Sequence, residues 1–230
     1  MRTNIKLFTI VFSVLVFAAC SSGGQKTEAS GAKEIENTSY DKSFMADLDK
    51  SVINWQGWKP TGNHVGTIKI SSGKLTMQNE ALAGGEFVID MNSIVDLDLT
   101  DADMNAKLVG HLKSADFFET EKYPTATFVI TGVAPIDGTT IDKEKEKGDI
   151  IPTHAITGNL TMKDVTKSIT FNAKIDVSEN MIQASTNQFY IDRVDWNVQY
   201  GSKKIFAELK DNFINDEMGL VINLVANLQQ

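Results

Sequence analysis

Apolar and polar residues alternate most regularly over 166–177, where Ile169, Phe171, Ala173, Ile175 and Val177 are interleaved with Thr170, Asn172, Lys174 and Asp176. A period of two sends successive side chains to opposite faces, so this run predicts a strand with one apolar side and one wet side. The same pattern recurs over 220–228, through Leu220, Ile222, Leu224, Ala226 and Leu228, and over 125–131, where Ala126, Phe128 and Ile130 share a face. Shorter runs predict further strands at 51–58, 64–70, 75–77, 86–91, 154–162, 181–186 and 189–200. A long polar and Gly-rich link is expected around 79–85. One stretch breaks the period: Met104, Leu108 and Leu112 recur every four residues behind Asp101 and Asp103, which predicts a capped helix with one buried stripe. Phe117 and Phe118 then bring two large rings to one place, and Pro124 resets Tyr123 to extended geometry. A second helical cover is expected over 205–213 through Ile205, Phe206, Leu209 and Phe213. Eight to ten short-linked strands with one main helix predict an all-β, antiparallel barrel of about eight strands, with a helical flap near one end and a short helical cover. A barrel of that size either fills with its own side chains or holds one slender ligand.

The beginning of the chain follows different rules. Arg2 and Lys6 precede an apolar run over 7–17 that ends in Ala18-Ala19-Cys20, the pattern of a secretory signal too short to cross a bilayer as a stable helix. A lone cysteine directly after two small residues is similar to the bacterial lipoprotein signal, in which the mature chain starts at a lipid-modified cysteine. Ordinary signal cleavage with Cys20 as a free thiol is the alternative. The expected organisation is a signal peptide over 1–19, lipidated Cys20 with a flexible tether to residue 42, and one barrel domain over 43–230. The composition of 42% hydrophobic residues in 230 is enough for a full core. The formal charge of −8 becomes −10 once Arg2 and Lys6 leave with residues 1–19. So acidic a chain argues against nucleic acid as a partner, and membrane attachment would rest on acyl chains at Cys20. The location expected is the cell envelope, facing the periplasm. In 142–148, DKEKEKG, no apolar face survives, which predicts a solvated loop between strands.

Candidate chemistry is sparse. His64, His111 and His154 show no HxH or HxxxH spacing, so they read as structural or solvent-exposed residues rather than metal or haem ligands. No nucleophile elbow, zinc-protease motif or phosphate loop is present, and no cofactor is expected. Gly66, Gly84 and Gly85 fall within strands, where they permit bulges or close packing. Asp192, Arg193 and Asp195 share the predicted strand 189–200; Arg193 is either a charge-paired rim residue or a contact for an anionic head group. An enzymatic reading would need a pocket that joins His111 to Asp116.

A series of short motifs resembles the YceI-like family. Its first half carries Ser51-Val52-Ile53-Asn54-Trp55, His64-Val65-Gly66, Gly85-Glu86-Phe87, and Ile89-Asp90-Met91-Asn92-Ser93-Ile94. Leu112-Lys113-Ser114-Ala115-Asp116-Phe117-Phe118 and Tyr123-Pro124-Thr125-Ala126-Thr127-Phe128 continue it. The second half adds 158–167, GNLTMKDVTK, and 191–198, IDRVDWNV. The likeness covers about 42–228. The resemblance implies a secreted, lipocalin-like antiparallel barrel with the cavity in which some members hold a long polyisoprenoid of quinone or prenyl-phosphate type; with no catalytic constellation in the chain, a binding protein and not an enzyme is expected. The candidate lining residues are Phe87, Ile89, Phe128, Ile130, Ile169, Phe171, Ile175, Ile222 and Leu224, with Arg193 as a head-group contact. The expected partners are such a lipid, or another long-chain lipid, and the membrane; a homodimer is compatible with this reading. A structural envelope protein with a side-chain-filled barrel is the alternative. The chain has Asn159 where this motif often carries another small or charged residue.

Overall fold

The computed structural model describes residues 24–35, 40–137 and 150–229. Twelve strands belong to one sheet: β1 (Gln25–Lys26), β2 (Ser30–Gly31), β3 (Lys42–Ala46), β4 (Val52–Lys59), β5 (Gly62–Gln78), β6 (Ala81–Asp96), β7 (Thr125–Pro135), β8 (His154–Met162), β9 (Val165–Val177), β10 (Met181–Ser185), β11 (Phe189–Asp192) and β12 (Glu217–Leu228). The helix α1 (Ala102–Lys113) follows β6. Eight staves close into a ring. Strands β5 to β9 pair in order, β10 and β11 together line one edge of β12, and β3 and β4 together bridge β12 back to β5. Closure removes most of the exposed edges that an open sheet of this size would carry, but β10 covers only 174–177 of β9, which leaves an edge of β9 and one of β11 for another segment to pair with.

Alternation sets the inner face as expected: Ile169, Phe171, Ala173 and Ile175 of β9 are all buried. Three expectations about the strands and the second cover are corrected. β5 is a single strand of 17 residues, and a two-residue turn at Asn79-Glu80 joins it to β6 where a long link was expected. Both turn residues have positive φ, 51° and 64°, the geometry that matches the twist of a hairpin. Gly84 and Gly85 lie inside β6, and three register shifts bend the long β5–β6 ribbon round the barrel. The strand expected over 189–200 stops at Asp192, because the Asp192 carboxylate accepts the Val194 N–H at 3.0 Å and starts a 3₁₀ turn over Arg193–Trp196. Asn197, at φ 59°, ends it. The helical cover expected over 205–213 is only a 3₁₀ turn, Ala207–Leu209, with Ile205 and Phe206 exposed.

Asp101 caps α1, accepting the Met104 N–H at 2.9 Å. The helix leans on the end of the barrel through half-buried Leu108 and Leu112, while Met104, expected in the same stripe, is 52% exposed. Phe117 and Phe118, both buried, follow it under the same end.

Residues 24–35 are docked rather than a free tether. β1 pairs in parallel with β11, β2 pairs with β9, and buried Thr27 donates its hydroxyl to the Tyr190 carbonyl at 2.8 Å. Asn159 points out of the barrel and is nonetheless buried. Its amide donates to the Lys33 carbonyl at 2.8 Å and accepts the Lys33 N–H at 2.9 Å. A polar composition predicts disorder because it offers no apolar surface, but the open edges of β9 and β11 bind backbone whatever its side chains. Cys20, residues 1–19 expected as a signal peptide, and residues 142–148 expected as a solvated loop all lie outside the described residues.

Candidate functional site

The strands enclose a cavity of about 350 Å³ that runs along the barrel axis. All nine residues expected to face the lumen line it: Phe87, Ile89, Phe128, Ile130, Ile169, Phe171, Ile175, Ile222 and Leu224. Phe171 stacks on Phe189 at 4.6 Å and meets Phe128 at 5.6 Å, so one wall is a row of rings. Ala173 is the small residue of the β9 wall, buried and facing the same space.

Polar lining residues gather where β4 ends and β5 and β12 begin. Lys59, His64, Arg193, Asn215 and Glu217 stand there beside His111 of α1. The cap over this end is held by cations placed under carbonyl groups. Lys163 sits in the β8–β9 turn, where it and Asp164 have φ of 49° and 58°, and its Nζ donates to the Phe117 carbonyl at 2.7 Å. Burial lowers the Lys163 pKa, opposed by Glu119. Phe117, His111 and Tyr200 meet as a ring cluster, with centroids 4.7 to 5.4 Å apart.

Arg193 lines the cavity, but its guanidinium is committed to the protein. Nε donates to the Asn215 carbonyl at 3.1 Å, Nη1 to that of Val198 at 2.7 Å, and Nη2 to that of Ile214 at 3.0 Å and to Asp216 Oδ1 at 3.3 Å. The residue is 2% exposed; burial lowers its pKa, and Asp216 and then Asp192 push it back up. Of the two readings of Arg193, this geometry is the charge-paired one: it staples the turn after β11 to the segment before β12. Arg193 and Asp195 lie on the 3₁₀ turn and not on the strand predicted for them.

The pairing that a catalytic reading required is present. His111 Nε2 and Asp116 Oδ2 lie 3.1 Å apart, yet Asp116 is half-exposed and the imidazole packs edge-on to two rings, as a fixed structural side chain does. A different constellation was not visible from spacing. His64 Nδ1 lies 3.0 Å from Asp98 Oδ2 and 3.9 Å from Asp96 Oδ2, although 32 residues separate His64 from Asp96. For Asp98, burial raises the pKa but is outweighed by the hydrogen bonds from the Val65 N–H and His64, which leave it below the ordinary carboxylate value. Lys163 is not singled out by the sequence reading either; the Lys-Asp pair between two strands is the signal that places it in a turn.

An antiparallel barrel closed round an apolar lumen, with a helix and paired phenylalanines across one end, is the lipocalin-like class of small barrel. The chain belongs to the YceI-like family: the YceI-like domain matches residues 44–226. It is 36% identical over 111 residues to Protein YceI of Escherichia coli O6:H1, a match that takes in 48% of each protein. The chain thus spans about half the length of the curated relatives it matches. Among solved structures, Burkholderia cenocepacia BcnA superposes with a TM-score of 0.58 at 22% identity, over 79% of this chain and 99% of that one. A polyisoprenoid binding domain from Saccharophagus degradans, implicated in plant cell wall breakdown, does so with a TM-score of 0.54 at 16% identity, over 82% of this chain and all of that one.

Proposed function

We propose that this chain is a lipid-anchored binding protein of the cell envelope, holding a long polyisoprenoid of quinone or prenyl-phosphate type in its lumen for sequestration or transport. The observation that carries the reading is the cavity of about 350 Å³ with an almost wholly apolar lining. Its size falls in the range of small-molecule sites, and its row of rings suits a flat, branched hydrocarbon chain. Burying about 400 Å² of such a chain is worth on the order of 10 kcal/mol before ordering costs, so affinity needs no charged contact. The polyisoprenoid binding domain from Saccharophagus degradans supports the choice of ligand class. Acylation of Cys20 would supply the anchor, with the barrel facing the periplasm.

The full-length chain, purified from a bacterial membrane, is extracted with organic solvent and the extract weighed by mass spectrometry. The expected result is a prenyl lipid in roughly stoichiometric amount, and Ala173→Phe, which narrows the lumen, should retain far less. An empty extract together with no uptake of added ubiquinone would favour a barrel filled by its own side chains. The anchor is tested separately by labelling with a fatty acid, which Cys20→Ser should abolish together with membrane retention.

A further inference from the structure

Two carboxylates and one imidazole converge at the capped end of the barrel. His64 comes from the start of β5, Asp96 from the end of β6, and Asp98 from the turn beyond it. Gly66 stands opposite Asp96 in the ladder, and a β-carbon there would run into the Val95 carbonyl and the Trp55 ring, so a glycine is what lets the end of β6 close over β5.

Each carboxylate is fixed by one oxygen and offers the other. Asp96 Oδ1 accepts the Leu99 N–H at 2.9 Å and the Asn105 amide at 3.1 Å; Asp98 Oδ1 accepts the Val65 N–H at 2.7 Å. Asn105, on α1, also donates to the backbone carbonyls of Asp96 and Leu99, so the helix holds the loop in place. Both Oδ2 atoms are directed at His64 Nδ1. Asp96 Oδ2 is the anomaly. The residue is 5% exposed with no exposed side-chain surface, and this oxygen has no hydrogen-bond partner among the described residues. A buried, unpaired carboxylate oxygen is costly, and paired ion or metal contacts are the usual way such groups are satisfied.

We infer that His64, Asp96 and Asp98 form a binding site for a divalent first-row transition cation. The three donor atoms lie within 4.8 Å of one another. Metal–ligand bonds of about 2.0–2.2 Å put tetrahedral donors about 3.4 Å apart, so the separations of 3.0 and 3.9 Å bracket the required spacing. One imidazole with two carboxylates suits Zn²⁺, Mn²⁺ or Fe²⁺ better than the all-oxygen sites of Mg²⁺ and Ca²⁺. The Leu99, Asn105 and Val65 donors are the outer shell that orients ligating carboxylates. Three protein ligands leave a fourth position for water or an anion; of the three, His64 also lines the lumen. A proton shared by the two carboxylates is the competing occupant of the same space.

The test uses the full-length chain, stripped with a chelator and dialysed against zinc chloride. One zinc per chain is expected, together with a visible d–d band when Co²⁺ replaces it. His64→Gln and Asp98→Asn, which keep size and an acceptor at each place, should each weaken zinc binding by at least about tenfold. His154→Gln, which removes a histidine elsewhere, should not. If one of the two ligand variants fails to give the wild-type circular dichroism spectrum, the other carries the measurement. Absence of stoichiometric zinc, or equal affinity in the wild type and both variants, would overturn the site and favour the shared proton. Quinone uptake is scored in parallel, because the cation site and the lipid reading stand or fall separately.

Discussion

Two buried charged residues near the same end of the barrel, Arg193 and Asp96, are handled in opposite ways. Arg193 makes four hydrogen bonds, three of them to backbone carbonyls, and faces Asp216. Asp96 has one oxygen that accepts two hydrogen bonds and another, also buried, with no hydrogen-bond partner among the described residues. A charge whose bonding capacity is spent inside the protein contributes to architecture. A charge left partly unspent next to two potential ligands has bonding capacity available for something else. The affinity proposed for the lumen needs neither, since it would come from buried area.

Arg193→Ala should be the most damaging change, about 3–5 kcal/mol by urea denaturation, because it strands Asp216 and three carbonyls; a loss below about 1 kcal/mol would mean that the staple is ornamental. Asn159→Ala should cost about 1–2 kcal/mol by losing both bonds to Lys33, and it should make the 24–35 segment the first site cut by a protease. Asn105→Ala removes one of the donors that hold Asp96 Oδ1 and should cost about 1 kcal/mol, read from the thermal midpoint. Asp101→Ala, which removes only the helix cap, should cost about the same, and the two together give the contribution of α1 to this end. Asp96→Asn should be the mildest, within about 1 kcal/mol, since it keeps the Oδ1 acceptor and gives up an unpaired charge. A large loss on Asp96→Asn would mean that Asp96, like Arg193, is architectural.

Much of the lumen could be read along the chain. Phe87, Ile89, Phe128, Ile130, Ile169, Phe171, Ile175, Ile222 and Leu224 follow from alternation, because in a strand the neighbour two residues away faces the same way whatever lies opposite. α1 and the paired phenylalanines were legible too, with Met104 assigned too much burial: the helix touches the barrel along only part of its length. Over 189–200 the apolar residues keep strand spacing while Asp192 and Asn197 supply the stop signals, and this local cap outweighs the periodicity.

Most of the strands, the inward faces of the lumen strands, the main helix and the family resemblance are legible along the chain, since they rest on periods and motifs that span a few residues. Tertiary structure alone decided three things: that polar residues 24–35 bind the open edges of β9 and β11, that Arg193 finds the carbonyls of Val198, Ile214 and Asn215, and that His64 meets Asp96 and Asp98. The physical reason is common to all three. Backbone groups carry no residue-specific signal, and the register that brings distant side chains together is fixed only when the whole ring closes.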